Sequence, residues 1–397
     1  MIIKFILRLL KELDNRALKK LIINAGFKGA IAISAFKKRL RCGEVFPPTL
    51  FISLTTKCNL NCIGCWASPG TEAVSLDPML VDRIISSAKN KRCSFFGLLG
   101  GEPLLWPHLL QVIEKHPDCY FQVFTNGTLF NTQVADAFRR LGNVSPLFSI
   151  EGLNVTAAKR RGKPDVFDQT IEAVKLANQS GLFTGVASSI CTQNFDELVN
   201  EEYVNTLVSC GAHYIWFYIY RPAGINPGYE LALDKDQILM LRKFLVEVRS
   251  KVPALIIDAY WDYSGKSICP AAEGISHHIN AAGFVEPCPV IQFAKDNLNL
   301  SHNPAETIQN SDFLKRFRAF ALKSGGGCVF LKSPQTLSAF LKETGALDTT
   351  GRNTGFSELE RLPILPDHSS INPPVPEKHW FYKFVKKNWF FGLGTYG

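Results

Sequence analysis

The stretch CNLNCIGC, residues 58–65, places three cysteines on one short segment with the spacing CxxxCxxC. Thiolates at this spacing suit zinc or an iron–sulfur cluster better than core packing. The apolar run at residues 50–56 predicts a buried parallel strand, so the cysteines follow its carboxyl end, where α/β proteins place their chemistry. A zinc knuckle needs a fourth Cys or His nearby, and none follows within about twenty residues.

After residue 46 the chain alternates between strand and helix patterns. Strands are predicted at residues 50–55, 94–99, 120–124, 147–150, 182–190 and 213–219. Helices are predicted from Asp77 onward and at residues 109–114, 134–141, 167–179, 195–209 and 234–248. Six strand–helix units in parallel order fit either an open barrel or a flavodoxin-like sheet, and periodicity does not separate the two.

The cysteine motif resembles the signature of the radical S-adenosylmethionine (SAM) superfamily. The resemblance implies that Cys58, Cys62 and Cys65 bind three irons of a [4Fe-4S] cluster, while SAM binds the fourth through its amino and carboxylate groups. It also implies the fold class: α/β, a partial (β/α)6 TIM-like barrel with a small C-terminal auxiliary-cluster extension and an N-terminal helical segment. The family usually has an aromatic residue before the last cysteine, where this chain has Gly64. Trp66 is a candidate to replace it as a wall for the cluster or adenine, or else a core aromatic.

Further loops resemble the SAM-binding segments of that family. The sequence GGEP at residues 100–103 is similar to its glycine-rich motif, in which glycines allow close backbone approach and Glu102 would accept from the methionine ammonium. The predicted cofactor-binding residues are Gly100, Gly101, Glu102, Pro103, Thr125, Asn126, Ser149, Glu151, Arg160 and Ser188. Arg161 and Ser189 are alternatives to their neighbours, and Asn126-Gly127 is also explained as a simple turn. No residue is assigned a catalytic role on the substrate.

A second cysteine set lies in the C-terminal third. Cys269 and Cys288 flank a predicted hairpin turning at residues 281–283, which resembles the opening of a SPASM or twitch extension. A full SPASM domain continues with several closely spaced cysteines, whereas this chain adds Cys328. These three are the predicted ligands of an auxiliary cluster, with His277 or His278 as a possible fourth. The other five cysteines lack metal spacing and are read as ordinary thiols.

Composition sets the outline of the molecule. The chain has 397 residues, 46% of them hydrophobic, which is ample for one large core with appendages. The predicted divisions are a basic amphipathic segment at 1–46, the barrel at 47–265, the extension at 266–345 and a linker with a basic-aromatic tail at 346–397. Eleven cysteines that include a metal-type spacing favour a reducing cytoplasm over a disulfide framework.

The two ends of the chain are basic and amphipathic. Residues 1–41 hold eleven Lys and Arg against Glu12 and Asp14, which accounts for the whole formal charge of +9. Ile2 to Leu13 read as an amphipathic helix with Lys4, Arg8, Lys11 and Glu12 opposite the apolar residues. It is neither a signal peptide nor a membrane span. Residues 1–41 and 378–397 either contact the inner membrane face or dock on the body. No nucleic-acid module is recognisable.

The resemblance therefore implies an enzyme that reductively cleaves SAM to a 5′-deoxyadenosyl radical, which abstracts hydrogen from a substrate. A one-electron donor such as ferredoxin or flavodoxin would supply the electron. The basic ends favour a lipid or membrane-borne substrate, and the auxiliary cysteines favour the alternative of a peptide- or protein-modifying maturase. A metal-binding membrane adaptor without activity is the alternative of another class.

Overall fold

A computed structural model describes residues 1–67 and 72–388. Within these residues one nine-stranded sheet has the order β7-β6-β5-β4-β3-β2-β1-β8-β9, and β10 and β11 form a short antiparallel pair. The strands are β1 Thr49–Ser53, β2 Phe95–Leu99, β3 Tyr120–Thr125, β4 Val144–Ser149, β5 Gly185–Ile190, β6 Tyr214–Ile219, β7 Leu255–Ile257, β8 Ser276–Ile279, β9 Val285–Glu286, β10 Phe293–Ala294 and β11 Leu347–Asp348.

Strands β1 to β7 are all parallel, and helices connect them on the outside of the sheet. The helices are α1 Ile2–Glu12, α2 Asn15–Lys20, α3 Lys28–Arg41, α4 Pro78–Asn90, α5 Leu109–Lys115, α6 Thr132–Leu141, α7 Asn154–Arg161, α8 Val166–Gln179, α9 Phe195–Leu198, α10 Glu201–Ser209, α11 Lys235–Val248, α12 Pro270–Glu273, α13 Pro304–Asn310, α14 Asp312–Lys323, α15 Val329–Lys332, α16 Pro334–Thr344, α17 Gly355–Arg361 and α18 Trp380–Asn388. This arrangement confirms the predicted α/β partial barrel.

Most barrel strands are buried on both faces, because helices cover the outside while alternate side chains fill the interior. The predicted start of α4 is correct, since the Asp77 carboxylate accepts from Met79 N at 2.7 Å. The predicted helix at residues 195–209 is instead two helices. Asn200 interrupts it, since its side chain caps α10 by accepting from Tyr203 N at 2.8 Å. Strand β4 begins earlier than predicted, β5 begins later, and β7 was not predicted.

The C-terminal extension is joined directly to the barrel. Strand β8 pairs parallel with β1, and β9 returns antiparallel to β8. The predicted turn is confirmed, because Gly283 N donates to Asn280 O at 2.9 Å with Gly283 at φ +85°. The extension therefore continues the sheet beside the strand that leads into the cysteine loop.

Residues 1–41 cover the end of the barrel opposite the cysteine loop. They form α1, α2, a π-helical segment at Leu21–Phe27 and α3, rather than one helix. Arg8 donates to Pro253 O at 2.9 Å and Asn24 to Cys119 O at 2.9 Å, which are backbone groups just before β7 and β3. Among the described residues, no helix is both long and apolar enough to cross a membrane.

The region from residue 346, predicted as a linker with a basic-aromatic tail, contains β11, α17 and α18. Helix α18 is anchored by a wholly buried set of ionic side chains, namely Lys386, Arg242, Arg249, Asp258 and Glu377. Burial lowers the pKa of Lys386 to about 8 despite its two carboxylate partners, because Arg242 and Arg249 share those carboxylates. Residues 389–397 of the predicted tail lie outside the described residues.

Candidate active site

The three cysteines of the loop after β1 face one cavity. Cys58, Cys62 and Cys65 all line a space of about 940 Å³ that runs through the barrel. The loop is held by its backbone, since Ile63 N donates to Arg160 O at 2.9 Å and Gly64 N to Asn226 O at 2.7 Å. Burial and the neighbouring Cys62 and Cys58 sulfurs together raise the pKa of Cys65 to about 12. The three thiols therefore form one electrostatically interacting group.

An aromatic side chain fills the place beside Gly64, and it comes from the residue just after β6 rather than from the cysteine loop. Gly64 has φ +69°, and a Cβ there would lie 1.8 Å from the Tyr220 hydroxyl oxygen. Tyr220 donates to Pro227 O, and its ring lies 4.6 Å from the guanidinium carbon of Arg160. Trp66 also lines the cavity, with its ring edge-on to His278 at 5.3 Å. Tyr220 thus occupies the space next to the last cysteine, and Trp66 connects the loop to the extension.

Gly100 and Gly101 line the cavity, but their close contact is with the strand-β1 loop. A Cβ at Gly100 would lie 2.4 Å from Thr55 O, and one at Gly101 would lie 2.2 Å from Lys57 O. Gly101 N also donates to Thr55 O at 2.7 Å. These glycines therefore allow two loops to meet, which positions the residues just before Cys58.

Glu102 is fully buried, and Pro103 is buried too; neither lines the cavity. The carboxylate of Glu102 accepts from Thr125 Oγ1 at 2.8 Å, Asn126 N at 2.8 Å and Leu104 N at 3.1 Å. Burial raises its pKa, while these hydrogen bonds favour the charged form. The side chain thus ties the loop after β2 to the loop after β3, which differs from the predicted contact with an ammonium group.

Thr125 and Asn126, at the end of β3, line the cavity. The Asn126 amide nitrogen lies 2.8 Å from Asn59 Oδ1 and 4.0 Å from Cys58 Sγ. Asn59 donates in turn to Thr128 Oγ1 at 2.7 Å. Asn59 was not predicted from the sequence, although its position inside the cysteine motif indicated that it lies near the site. This amide pair holds the first cysteine against the β3 loop.

A carboxylate and two guanidinium groups form the charged part of the cavity wall. Glu151 lies 3.5 Å from an Arg160 nitrogen and 3.6 Å from an Arg161 nitrogen. Arg160 is also hydrogen-bonded to Ser189 O and Cys191 Sγ, both at 3.1 Å. Within residues 1–67 and 72–388, Glu151 Oε2 and the Nε atoms of both arginines are buried without a hydrogen-bond partner. The site therefore retains both acceptor and donor capacity, as the zwitterionic amino acid part of SAM requires.

The two serine predictions differ in outcome. Ser149 lines the cavity at the end of β4. Ser188 does not, because it is buried against α10 and its hydroxyl lies 2.7 Å from the Tyr203 hydroxyl. Ser189 lines the cavity instead, since adjacent residues of a strand point to opposite faces.

The second cysteine set also reaches this cavity. Cys269, Cys288 and Cys328 line it. Burial and the neighbouring cysteine sulfurs together raise the pKa of Cys269 to about 11 and that of Cys288 to about 12. Arg221, which was not predicted, donates to Cys328 Sγ at 3.3 Å and to Tyr260 Oη at 3.2 Å. A guanidinium beside buried sulfurs compensates negative charge that a thiolate set brings.

Two histidines and an aspartate surround the second set. His278 lies 2.7 Å from Ser53 Oγ and 2.6 Å from Glu286 Oε2, so both of its ring nitrogens are engaged. His277 lines the cavity and has one bond, 3.3 Å from Nδ1 to Pro287 O, which leaves it as the better fourth-ligand candidate. The Asp367 carboxylate accepts from Cys328 N, which shows that the segment predicted as a linker helps to form this site.

The residues present fit iron–sulfur clusters. All eleven cysteines are thiols. The six cysteines that line the cavity range from the exposed Cys58 to the buried Cys328, and the positive charge of iron would stabilise their deprotonated forms. Among the described residues, no three metal-ligating side chains converge on one ion position. A cubane does not require that, because each of its cysteines binds a different iron.

Comparisons with known proteins agree with this geometry. The Radical SAM superfamily model matches residues 52–200. The sporulation killing factor maturation protein SkfB of Bacillus subtilis is 25% identical over an alignment of 283 residues. The match covers 66% of this chain and 66% of SkfB, so this chain spans just under two thirds of that relative. The crystal structure of Streptococcus suis SuiB bound to precursor peptide SuiA has a TM-score of 0.60 at 15% identity, covering 72% of this chain and 70% of SuiB.

The structure of SuiB bound to S-adenosylmethionine has a TM-score of 0.59 at 16% identity, covering 72% of this chain and 71% of that one. At these identities the two structures support the fold. Superfamily members use a [4Fe-4S] cluster and SAM, and the cysteine loop, the strand order and the hairpin beside β1 are all present here. Residues 52–200 therefore match the radical SAM superfamily, and the chain shares its fold with SuiB.

Proposed function

We propose that this protein is a radical SAM enzyme whose active site is the end of the cavity between the two cysteine sets. One observation carries the proposal: both sets line a single cavity together with the charged group of Glu151, Arg160 and Arg161. When bound, the [4Fe-4S] cluster and SAM supply the reductive cleavage that yields a 5′-deoxyadenosyl radical. The chain holds the cluster, orients SAM and excludes water.

The residues divide this work among them. Cys58, Cys62 and Cys65 would hold three irons of the SAM-binding cluster, and Cys269, Cys288 and Cys328 an auxiliary one. Arg161 is the better candidate for the SAM carboxylate than Arg160, because Arg160 already donates to Ser189 and Cys191. Glu151 is the candidate acceptor for the SAM ammonium, because Glu102 is buried and already accepts hydrogen bonds from Thr125, Asn126 and Leu104.

Two substrate classes remain under this mechanism. A peptide substrate is favoured by the likeness to SkfB, which is a maturation protein, and to SuiB, which binds a precursor peptide. A lipid substrate is favoured by the shape and lining of the barrel interior, described below. In either case a one-electron donor such as ferredoxin or flavodoxin would reduce the cluster.

The proposal is tested by forming 5′-deoxyadenosine. Protein reconstituted anaerobically with iron and sulfide, then reduced with dithionite in the presence of SAM, is expected to release 5′-deoxyadenosine. Cys58→Ala and Cys62→Ala are expected to abolish this release, whereas Cys42→Ala, an exposed thiol away from the cavity, is expected to retain it. Equal release by Cys58→Ala and Cys42→Ala would refute the assignment.

A further inference from the structure

We propose that the barrel interior binds the hydrocarbon chain of a lipid, which enters beside α1 from an anionic membrane surface. This inference rests on the proposed function, because it names the substrate class of the same active site. It concerns the other end of the cavity, where the strands begin and where the cofactors would not lie.

The cavity extends through the barrel from one end to the other. Near the strand ends it is lined by the cysteines, and in the middle by Phe51, Phe124, Trp216 and Ile257. At the far end it reaches Leu9, Leu21 and Val385, which lie on α1, the π-helical segment and α18. Its volume of about 940 Å³ is at the upper end of the roughly 300–1,000 Å³ usual for ligand sites. A long, apolar space of this kind suits an extended hydrocarbon chain.

The middle of the cavity has few polar groups. Tyr214 Oη bonds to Gln122 Nε2 at 3.0 Å and to Ser145 Oγ at 2.8 Å, so these groups largely satisfy one another. Within the described residues, Gln122 Oε1 and Trp216 Nε1 are buried without a partner. One accepts and the other donates, as a hydroxyl or carbonyl group on the bound chain would require. A peptide backbone would bring a donor and an acceptor at every residue, far more than this wall can satisfy.

Helix α1 leaves part of its apolar surface exposed to solvent. Ile3, Leu7 and Leu10 recur at helical spacing and are 76%, 58% and 60% exposed. The docked side carries the buried Phe5 together with Arg8 and Glu12, which bond to each other at 2.9 Å. Arg8 also donates to Ala212 O at 3.2 Å, in addition to Pro253 O. Phe5, Arg8 and Glu12 thus dock the helix, and the described residues leave the side of Ile3, Leu7 and Leu10 uncovered.

This exposed face is continuous with the cavity. Ile6, Leu10, Ile22 and Phe27 are all exposed at their outer surface, and all four also line the cavity. Helix α18 adjoins the same opening, since Phe381 and Val385 line it while Trp380 and Phe384 are exposed. An apolar chain could therefore pass from a membrane interface into the barrel without crossing a polar surface.

The charges around the opening fit an anionic membrane. Lys4 and Lys11 are exposed and flank the apolar stripe of α1. The two acidic residues of this segment are already paired, Glu12 with Arg8 and Asp14 with Arg139 at 3.2 Å. The outward charge is therefore basic, which attracts a surface of acidic lipids and would not attract a neutral one.

Membrane binding is tested by sedimentation of the reconstituted protein with vesicles at low salt. Binding is expected to vesicles containing phosphatidylglycerol and to be much weaker with phosphatidylcholine alone. Lys4→Gln with Lys11→Gln is expected to weaken binding about 25-fold, at roughly fivefold per lysine. Leu7→Gln is expected to weaken it, whereas Leu300→Gln, 87% exposed elsewhere, leaves it unchanged. Equal binding to both vesicles, or equal effects of Leu7 and Leu300, would overturn the proposal.

Occupation of the barrel is tested with a spin-labelled fatty acid, 16-doxylstearic acid, by electron paramagnetic resonance. The probe is expected to be immobilised by the parent and by Cys58→Ala, so that this result does not depend on SAM cleavage. Ala187→Leu, which fills the interior, is expected to release it, whereas Ala319→Leu, on the exposed face of α14, retains it. Because Ala187→Leu could misfold, it is accepted only if its circular dichroism matches that of the parent. Gln122→Leu supplies a second variant. It is expected to bind a hydroxylated hydrocarbon chain more weakly than an unsubstituted one. A mobile probe in the parent, or its displacement by an apolar peptide and not by phosphatidylglycerol, would overturn the proposal.

Discussion

The substitution Glu102→Gln distinguishes two roles of Glu102, namely holding two loops together and binding SAM. Glutamine can keep its oxygen at the position of Oε1, which accepts from Thr125 and Leu104. Its NH2 group would then meet Asn126 N, so that two buried donors face each other where the parent has a bond of 2.8 Å. Loss of a hydrogen bond to a buried charge removes about 1.5–3 kcal/mol, and the two remaining bonds weaken. The expected loss in free energy of unfolding is about 2–4 kcal/mol.

This loss is measured by urea unfolding of the cluster-free protein. With a slope of about 3 kcal/mol per molar urea, the midpoint falls by about 1 M. The control is Glu172→Gln, whose carboxylate is 70% exposed and pairs with Lys175. That change is expected to alter stability by less than about 0.5 kcal/mol. An unchanged midpoint together with tenfold weaker SAM binding by the reconstituted protein would contradict the reasoning, because it would place Glu102 on the ligand.

Two further predictions concern close packing and buried charge. Gly64→Ala is expected to lower the iron content, because its Cβ would overlap Tyr220, whereas Gly43→Ala, at φ +75° with nothing within 4 Å, is expected to keep it; equal iron in both variants would contradict this. The native pKa of Lys386, about 8, lies below the ordinary 10.5. The native state therefore releases this proton first, so the free energy of unfolding of the parent should rise between pH 8 and 10.5 relative to Lys386→Met. Parallel pH profiles of the two proteins in urea unfolding would contradict it.

The alternation of strands and helices was predictable because its signals are local, whereas the choice of a barrel over a flavodoxin-like sheet came from the resemblance. Each strand is a short apolar run, and some helices begin at a capping residue, as Asp77 and Asp234 show. The hairpin turn at residues 281–283 was also predictable from a local residue, Gly283. The spacing of Cys58, Cys62 and Cys65 predicted a shared site, the resemblance predicted the second set, and all six cysteines line the cavity.

The remaining features depend on contacts between distant parts of the chain. Nothing near Gly64 indicates that Tyr220 fills the adjacent space, since the two meet only when β6 is beside the cysteine loop. Likewise, an amphipathic pattern does not tell which face of α1 docks. Arg8 donates to backbone carbonyls just before β6 and β7, and this contact orients the helix so that Leu7 and Leu10 face outward.

We propose that the two cysteine sets hold two clusters, one of which binds SAM. The most direct measurement is anaerobic iron and sulfide quantitation with electron paramagnetic resonance of the reduced protein, before and after SAM is added. About eight irons per chain, as expected for two [4Fe-4S] clusters, are predicted for the parent, with a signal that SAM changes. Cys58→Ala should lose about four irons and also the SAM-dependent change of the signal. Cys269→Ala should lose about four irons but keep the SAM-dependent change. Zinc without iron, or a signal that SAM leaves unaltered, would contradict the account.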